Sequence, residues 1–172
     1  MIQVYIPATV PMLGRLVADG SVWPLNGTAF AVTPALRESY SDGDDDELGE
    51  VALREAALAS LRLLAMESAD AGDGRWRRAV LVADVDEADG GAIFRPDLDT
   101  AVVRLAESVP LDRIVAAYVD NADAESAVAA AVSVIDAADL GDEDADLVVG
   151  DALDHDLAWY ATQELPFLLD LL

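Results

Sequence analysis

The chain has 172 residues, and its 34 acidic side chains against ten Arg and no Lys give a formal net charge of −24. Such a surface repels phosphate backbones and anionic lipids, so we expect neither direct nucleic-acid binding nor membrane binding. Cysteine is absent, which excludes disulfides and thiolate catalysis. Apolar residues make up 53% of the chain, enough for a folded core, and we predict a single domain over residues 1–172.

The first third of the chain predicts two strands and two helix starts. Residues 2–6 alternate in the manner of a strand, and residues 28–32 predict a second one. Thr9 and Thr33 each stand shortly before a Pro, which is the pattern of a capped helix start. The longest helix is predicted over residues 45–67, where apolar residues recur at helical spacing.

The remaining elements are read from three apolar runs and a less regular C-terminal segment. Residues 79–83 form a continuous apolar run typical of a central strand buried on both faces, and further strands are predicted over 100–105 and 114–119. A helix follows, capped by Asn121 or Asp123 and ending near residue 137, before an acidic loop over 140–146. Residues 151–172 predict either a strand at 157–161 with a last helix from Thr162, or helix throughout.

Strands that alternate with helices indicate an α/β, single-domain layered fold with a mixed, partly parallel sheet flanked by helices. An α+β two-layer sandwich is the alternative. The chain begins without a basic segment and has no run of 18 apolar residues, so we expect a cytoplasmic protein. The apolar fraction permits a homodimer without requiring one.

Two acidic runs carry carboxylates at alternate positions, which resembles the first half of a calcium loop: Asp42, Asp44 and Asp46, then Asp142, Asp144 and Asp146. Neither run has Gly at its sixth position or Glu at its twelfth, so the sharp turn and the bidentate ligand are missing. We therefore predict solvated loops that cap helices, with no metal and no cofactor.

Catalytic signatures are absent from the sequence, which has no nucleophile elbow, phosphate loop or dinucleotide fingerprint. The better candidates for ligand binding follow predicted strands, because ligands of open α/β sheets lie at strand ends. These strand ends carry Thr9, Thr33, Asp84 and Asp120, and Arg37 and Glu38 follow Thr33 by about one helical turn. Arg37 would act as an anion clamp, with Glu38 or Asp84 as acid or base, although an ordinary ion pair is the stronger expectation for Arg37.

A second candidate group is the aromatic and polar cluster near the C-terminus, formed by Trp159, Tyr160, Gln163 and Glu164. Trp and Tyr combine apolar area with a polar group, so this cluster would line a pocket or a partner surface. The competing and favoured interpretation is that it docks the C-terminal segment on the core.

Three short stretches of the chain resemble one family, namely residues 4–9 (VYIPAT), 31–38 (AVTPALRE) and 159–165 (WYATQEL). The family consists of acidic proteins of high-GC Gram-positive bacteria and is a domain of unknown function. The resemblance covers most of the chain and implies a cytosolic protein rich in Ala and Asp. It implies no activity and no catalytic residues.

Two functions remain after these exclusions, with direct nucleic-acid binding ranked last. The first is a non-enzymatic interaction module whose acidic surface binds a basic protein partner. The second is a small-ligand-binding protein or an enzyme that uses the strand-end residues around Arg37, which depends on analogy with other α/β folds. The cluster of Arg75, Arg77 and Arg78 is the only basic feature that favours nucleic acid.

Overall fold

A seven-stranded antiparallel sheet forms the centre of the computed structural model, which describes residues 1–67, 76–87 and 91–172. The strands are β1 (Ile2–Ala8), β2 (Ser21–Val22), β3 (Thr28–Ala31), β4 (Ala79–Val85), β5 (Ala92–Phe94), β6 (Val102–Leu105), β7 (Val109–Pro110), β8 (Ile114–Val119) and β9 (Ala158–Ala161). The helices are α1 (Val10–Asp19), α2 (Pro34–Ser39), α3 (Asp45–Glu67), α4 (Glu125–Asp139), α5 (Glu143–Leu153) and α6 (Leu165–Leu171). The sheet order is β5-β6-β3-β1-β4-β8-β9, and β2 pairs with β7 separately.

The mixture of helices and strands is confirmed, but the prediction of a partly parallel sheet is wrong. Each strand pair in the described part of the chain is antiparallel, including the central pair β1–β4, in which Val4 lies opposite Ala83. The continuous apolar run of β4 does not arise from parallel pairing. It arises because helices cover both faces of the sheet, so that successive side chains are buried on alternate sides.

The two faces of the sheet bury different clusters. On one face, Ile6 and Leu81 pack with Leu13 of α1 and Leu165 of α6. On the other face, Val80 and its neighbours pack against α3, which presents small side chains to the sheet. A third cluster joins the far part of α3 to α4 and α5, and its members include Leu61, Leu64, Val128, Ile135 and Val149. Helices on two faces also disagree with the two-layer alternative.

The predicted helix caps are only partly confirmed. The Thr33 hydroxyl accepts a hydrogen bond from the Leu36 N–H at 3.0 Å and donates one to the carbonyl of Thr100. Thr9 makes no capping bond, and its hydroxyl donates to Glu67 Oε1 at 2.8 Å. Neither Asn121 nor Asp123 caps a helix through its side chain: a 3₁₀ turn over Ala122–Ala124 leads into α4.

The acidic runs begin helices, as predicted. Asp44 accepts a hydrogen bond from the Glu47 N–H, and Asp142 accepts one from the Ala145 N–H, each at 2.9 Å. The predicted loop over 140–146 is shorter than expected, because α5 already begins at Glu143. In the C-terminal segment, the prediction of a strand followed by a helix is confirmed and the fully helical one is wrong.

Two parts of the chain approach the sheet in the same way. A two-residue strand (β2 or β7) is followed by a 3₁₀ turn, at Leu25–Gly27 or Leu111–Arg113, and then by a strand of the main sheet. The two short strands pair with each other, with Val22 opposite Val109. None of the described helices combines the length and the hydropathy that crossing a bilayer requires.

Candidate functional site

A cavity of about 750 Å³ lies between α3 and the sheet, on the side of the first residues of β1. Its aromatic wall consists of Tyr5 from β1, Tyr118 from β8 and Phe94 from β5. Gly49 of α3 faces Tyr5, and a Cβ atom at this position would stand 3.0 Å from the Tyr5 hydroxyl. Glycine therefore leaves the space that the phenol occupies. We call this the Tyr5–Tyr118 cavity.

Among the described residues, the charged side chains that line the Tyr5–Tyr118 cavity are mostly acidic: four are carboxylates (Asp45, Asp46, Glu50 and Glu87) and one is an Arg (Arg37). Arg37 Nη1 forms an ion pair with Asp45 Oδ1 at 2.6 Å, and both side chains are exposed. Since one carboxylate is already paired, three remain to attract a positive group. The cavity is therefore suited to a cation rather than an anion.

The pKa of the Tyr5 hydroxyl reflects its burial and the acidic groups around it. Burial raises the pKa of Tyr5 above its ordinary value of 10.0, and the nearby Tyr118 and Asp46 raise it further. The phenol consequently stays protonated over the whole physiological range. Its ring presents an electron-rich face, which is the feature that aromatic side chains use to attract cations.

Of the residues predicted from strand ends, only Arg37 lines the Tyr5–Tyr118 cavity. Thr33 is buried and structural, since its hydroxyl caps α2 and bonds to the backbone of Thr100. Glu38 is exposed on α2, and Asp84 lines a separate cavity of about 310 Å³. The strands β3 and β4 both pair antiparallel with β1 and therefore end at the same edge of the sheet, but β1 lies between them, and Thr33 and Asp84 share no cavity.

The C-terminal aromatic cluster is also divided. Trp159 is 57% exposed and lies directly opposite Tyr118 in the β8–β9 register. Tyr160 points to the other face, where it packs against the core that includes α1 and α6. Gln163 and Glu164 are exposed in the 3₁₀ turn before α6. The docking interpretation therefore describes Tyr160, while Trp159 is the residue of this group nearest to the cavity wall.

A second cavity, of about 420 Å³, adjoins the first and is lined by Glu50, Leu53, Arg54, Ala57, Arg78, Tyr118, Leu153, His155, Asp156 and Leu157. Glu50, Leu53 and Tyr118 line both cavities, so the two form one groove along α3. We call this second cavity, of about 420 Å³, the Arg54–Arg78 cavity.

Sequence reasoning missed most of this groove. Tyr5 alternates with the core residues Val4 and Ile6, and this alternation was the available signal that Tyr5 faces the opposite side. Tyr118 and Glu50 offered no comparable signal, because their meeting depends on the order of the strands and on the position of α3.

The basic cluster predicted from Arg75, Arg77 and Arg78 lies next to β4, and its two described members form ion pairs with acidic side chains. Arg77 Nε donates to Glu125 at 2.7 Å, and Arg78 forms a buried pair with Asp120, while Arg75 lies outside the described residues. Among the residues that the structure describes, no three His, Asp or Glu side chains are placed to hold a metal ion.

One of three comparisons with known proteins confirms that the chain resembles a family of unknown function. No curated protein and no protein of solved structure shows a significant match to the chain. A family model matches residues 2–169, which is nearly the whole chain. The chain therefore belongs to the family of unknown function DUF6912.

Proposed function

We propose that this protein is a non-enzymatic binding module that receives a cationic side chain of a basic protein partner in the Tyr5–Tyr118 cavity. The observation that carries this proposal is the combination of three aromatic side chains with four carboxylates around a cavity of about 750 Å³. A guanidinium or ammonium group is the chemical class that gains from both features, through cation–π contact and through ion pairing.

The charge of the whole molecule supports the same partner. A net charge of −24 raises the local concentration of basic proteins and steers their approach, an effect that salt screens. The cavity adds a place where one cationic side chain is selected from many. The surface thus supports rapid association, and the cavity supports specificity.

The test is a calorimetric titration with the peptide acetyl-Gly-Arg-Gly-Arg-Gly-amide at low salt, beside a peptide in which Gln replaces each Arg. We expect binding of the first peptide only. Glu50→Gln should weaken it about fivefold, which corresponds to about 1 kcal/mol for one close ion pair. Gly49→Ala should weaken it too, because the added Cβ displaces the Tyr5 hydroxyl.

The matched control is Glu143→Gln, which removes the same charge from an exposed position on α5, outside the cavity. Equal losses in Glu50→Gln and Glu143→Gln would contradict the proposal, because they would show attraction by net charge alone.

The alternative, an anion site or an enzyme centred on Arg37, is supported by the position of Arg37 in the cavity wall and by the exposure of its ion pair. It requires Arg37 to exchange Asp45 for a ligand. If the protein binds pyrophosphate in preference to the Arg peptide, and Arg37→Ala abolishes that binding, the alternative replaces our proposal.

A further inference from the structure

The Arg54–Arg78 cavity holds two of the ten Arg residues and the only His of a strongly acidic chain. Because it continues the Tyr5–Tyr118 cavity, this inference rests on the proposed function. We propose that the Arg54–Arg78 cavity binds a carboxylate of the same ligand whose cationic side chain occupies the Tyr5–Tyr118 cavity. The groove would then select a basic ligand that also carries a nearby carboxylate.

Arg78 provides a fixed donor in this cavity. Its side chain is only 2% exposed, and its Nε and Nη2 each donate to an oxygen of Asp120 at 2.8 Å. Nη2 also donates to the backbone carbonyl of His155 at 2.8 Å. These three hydrogen bonds, to Asp120 and to the backbone of His155, hold the guanidinium plane in one orientation.

The remaining nitrogen of Arg78, Nη1, has no hydrogen-bond partner among the described residues. Within the same residues, Arg104 Nε is the only fully enclosed side-chain polar atom without a partner. Arg78 Nη1 is therefore not fully enclosed, and the space beside Arg78 is the cavity that it lines. A donor held in this way is prepared for an acceptor that the protein itself does not supply.

Arg54 provides the unneutralised charge. It is exposed on α3, and in the described part of the chain no carboxylate lies within ion-pair distance of it. Three other described Arg residues also form no ion pair, namely Arg15, Arg104 and Arg113, but only Arg54 among these four lines the Arg54–Arg78 cavity. The charge of Arg54 thus attracts an anion, while the fixed N–H donor of Arg78 orients the bound carboxylate.

The balance of charge differs between the two parts of the groove. When the ion pairs Arg37–Asp45 and Arg78–Asp120 are left out, the described lining of the Tyr5–Tyr118 cavity keeps three carboxylates and no Arg. The Arg54–Arg78 cavity then keeps two carboxylates, Glu50 and Asp156, and one Arg, Arg54. An anion is consequently repelled least at the Arg54–Arg78 end. This difference favours a ligand that places its cation in the Tyr5–Tyr118 cavity and its carboxylate beside Arg54 and Arg78.

The experiment compares three peptides that differ only in their carboxylates: acetyl-Gly-Arg-Gly-Gly with a free C-terminus, the same peptide as its C-terminal amide, and acetyl-Gly-Arg-Gly-Asp-amide. Each is titrated calorimetrically into the full chain at low salt. We expect one or both carboxylate-bearing peptides to bind at least about fivefold more tightly than the plain amide. Their ranking distinguishes a chain terminus from a side chain as the source of the carboxylate.

The advantage of the carboxylate should disappear in Arg54→Ala and persist in Arg15→Ala. Arg15 is the matched control because it is exposed on α1, outside both cavities, and also lacks an ion-pair partner among the described residues. Equal binding of all three peptides would overturn this inference and leave the proposed function intact. Absence of binding by every Arg peptide would overturn both.

Discussion

Two Arg–Asp pairs of the same geometry lie in opposite surroundings. Arg78 and Asp120 are 2% and 0% exposed, whereas Arg62 and Asp139, which join α3 to α4, are 45% and 42% exposed. Each Arg donates from Nε and Nη2 to its Asp, at distances of 2.8 or 2.9 Å. The side-chain contact between Arg and Asp is therefore the same in both pairs, while the access of water differs, and Arg78 also donates to the carbonyl of His155.

We expect Asp120→Ala to cost about 3–5 kcal/mol of unfolding free energy, because it leaves the Arg78 charge buried without its partner. Asp139→Ala should cost less than about 1 kcal/mol, because water screens the exposed pair. Urea denaturation of the two variants gives both values. Losses of equal size would show that the Arg78 side chain is hydrated despite its position.

The exposed pair has a defined dependence on pH. The hydrogen bond from Arg62 lowers the pKa of Asp139 below its ordinary value of 3.8. A carboxyl whose pKa is lower in the folded state stabilises the fold above its unfolded pKa and loses this contribution as the pH falls through the folded pKa. The Arg62–Asp139 contribution is accordingly present at neutral pH and lost in acid.

At the residue scale, the sequence indicated which side chains have unusual chemistry. It did not indicate as well which of these side chains lie together in the fold. Scarcity of cations drew attention to Arg37, which does line the cavity. Asp84 and Thr33 were chosen by a rule for parallel sheets that does not apply here. Gly49, by contrast, lies in a regular helix, and its importance depends on the Tyr5 hydroxyl reaching it from another element.

At the scale of elements, α3 lies close to the sheet because its inner face carries small side chains, and Ser60 connects it to two strands. The Ser60 hydroxyl donates to the carbonyl of Ala8 at 2.7 Å and accepts the N–H of Ala79 at 3.1 Å. All three residues are fully buried. One side chain thus forms hydrogen bonds with both the end of β1 and the start of β4.

Ser60→Ala should lower the unfolding free energy by about 1–3 kcal/mol, since it leaves two buried backbone groups without this partner. The control is Ser133→Ala, which removes an exposed hydroxyl that bonds to Ala130 within α4 and should change stability by less than about 0.5 kcal/mol. Thermal and urea unfolding measure both. A neutral effect of Ser60→Ala would mean that water takes over both bonds.

Prediction of elements succeeded where the pattern is long and local. The helix over 45–67 agrees with α3 at both ends, and β4 was recognised from its apolar run. The pairing of β4 was not recognised, because burial on both faces produces the same sequence pattern in parallel and antiparallel strands. β2, β5 and β7 have only two or three residues, too few to show alternation.

At the scale of the whole molecule, the net charge of −24 opposes folding and favours basic ligands. Repulsion among the carboxylates acts in the folded state more than in the expanded unfolded chain. Salt screens this repulsion, and it equally screens attraction to a basic partner. The two effects of salt therefore have opposite signs.

We expect the thermal unfolding midpoint to rise by several degrees when NaCl is increased from about 20 to about 500 mM, while the affinity for the Arg peptide falls. Scanning calorimetry measures the first change and titration calorimetry the second. As a control, the rise in the midpoint should vanish near the isoelectric point of about 4.1. A midpoint independent of salt at neutral pH would show that the carboxylates are too far apart to interact.

The shared wall of the groove has a thermodynamic consequence. Because Glu50 belongs to both cavities, a cation bound beside it neutralises a charge that would otherwise repel an anion in the neighbouring space. Occupation of one end then makes occupation of the other more favourable, and linkage requires the same factor in both directions. Two separate ions, one of each sign, would thus bind with positive cooperativity even though neither touches the other.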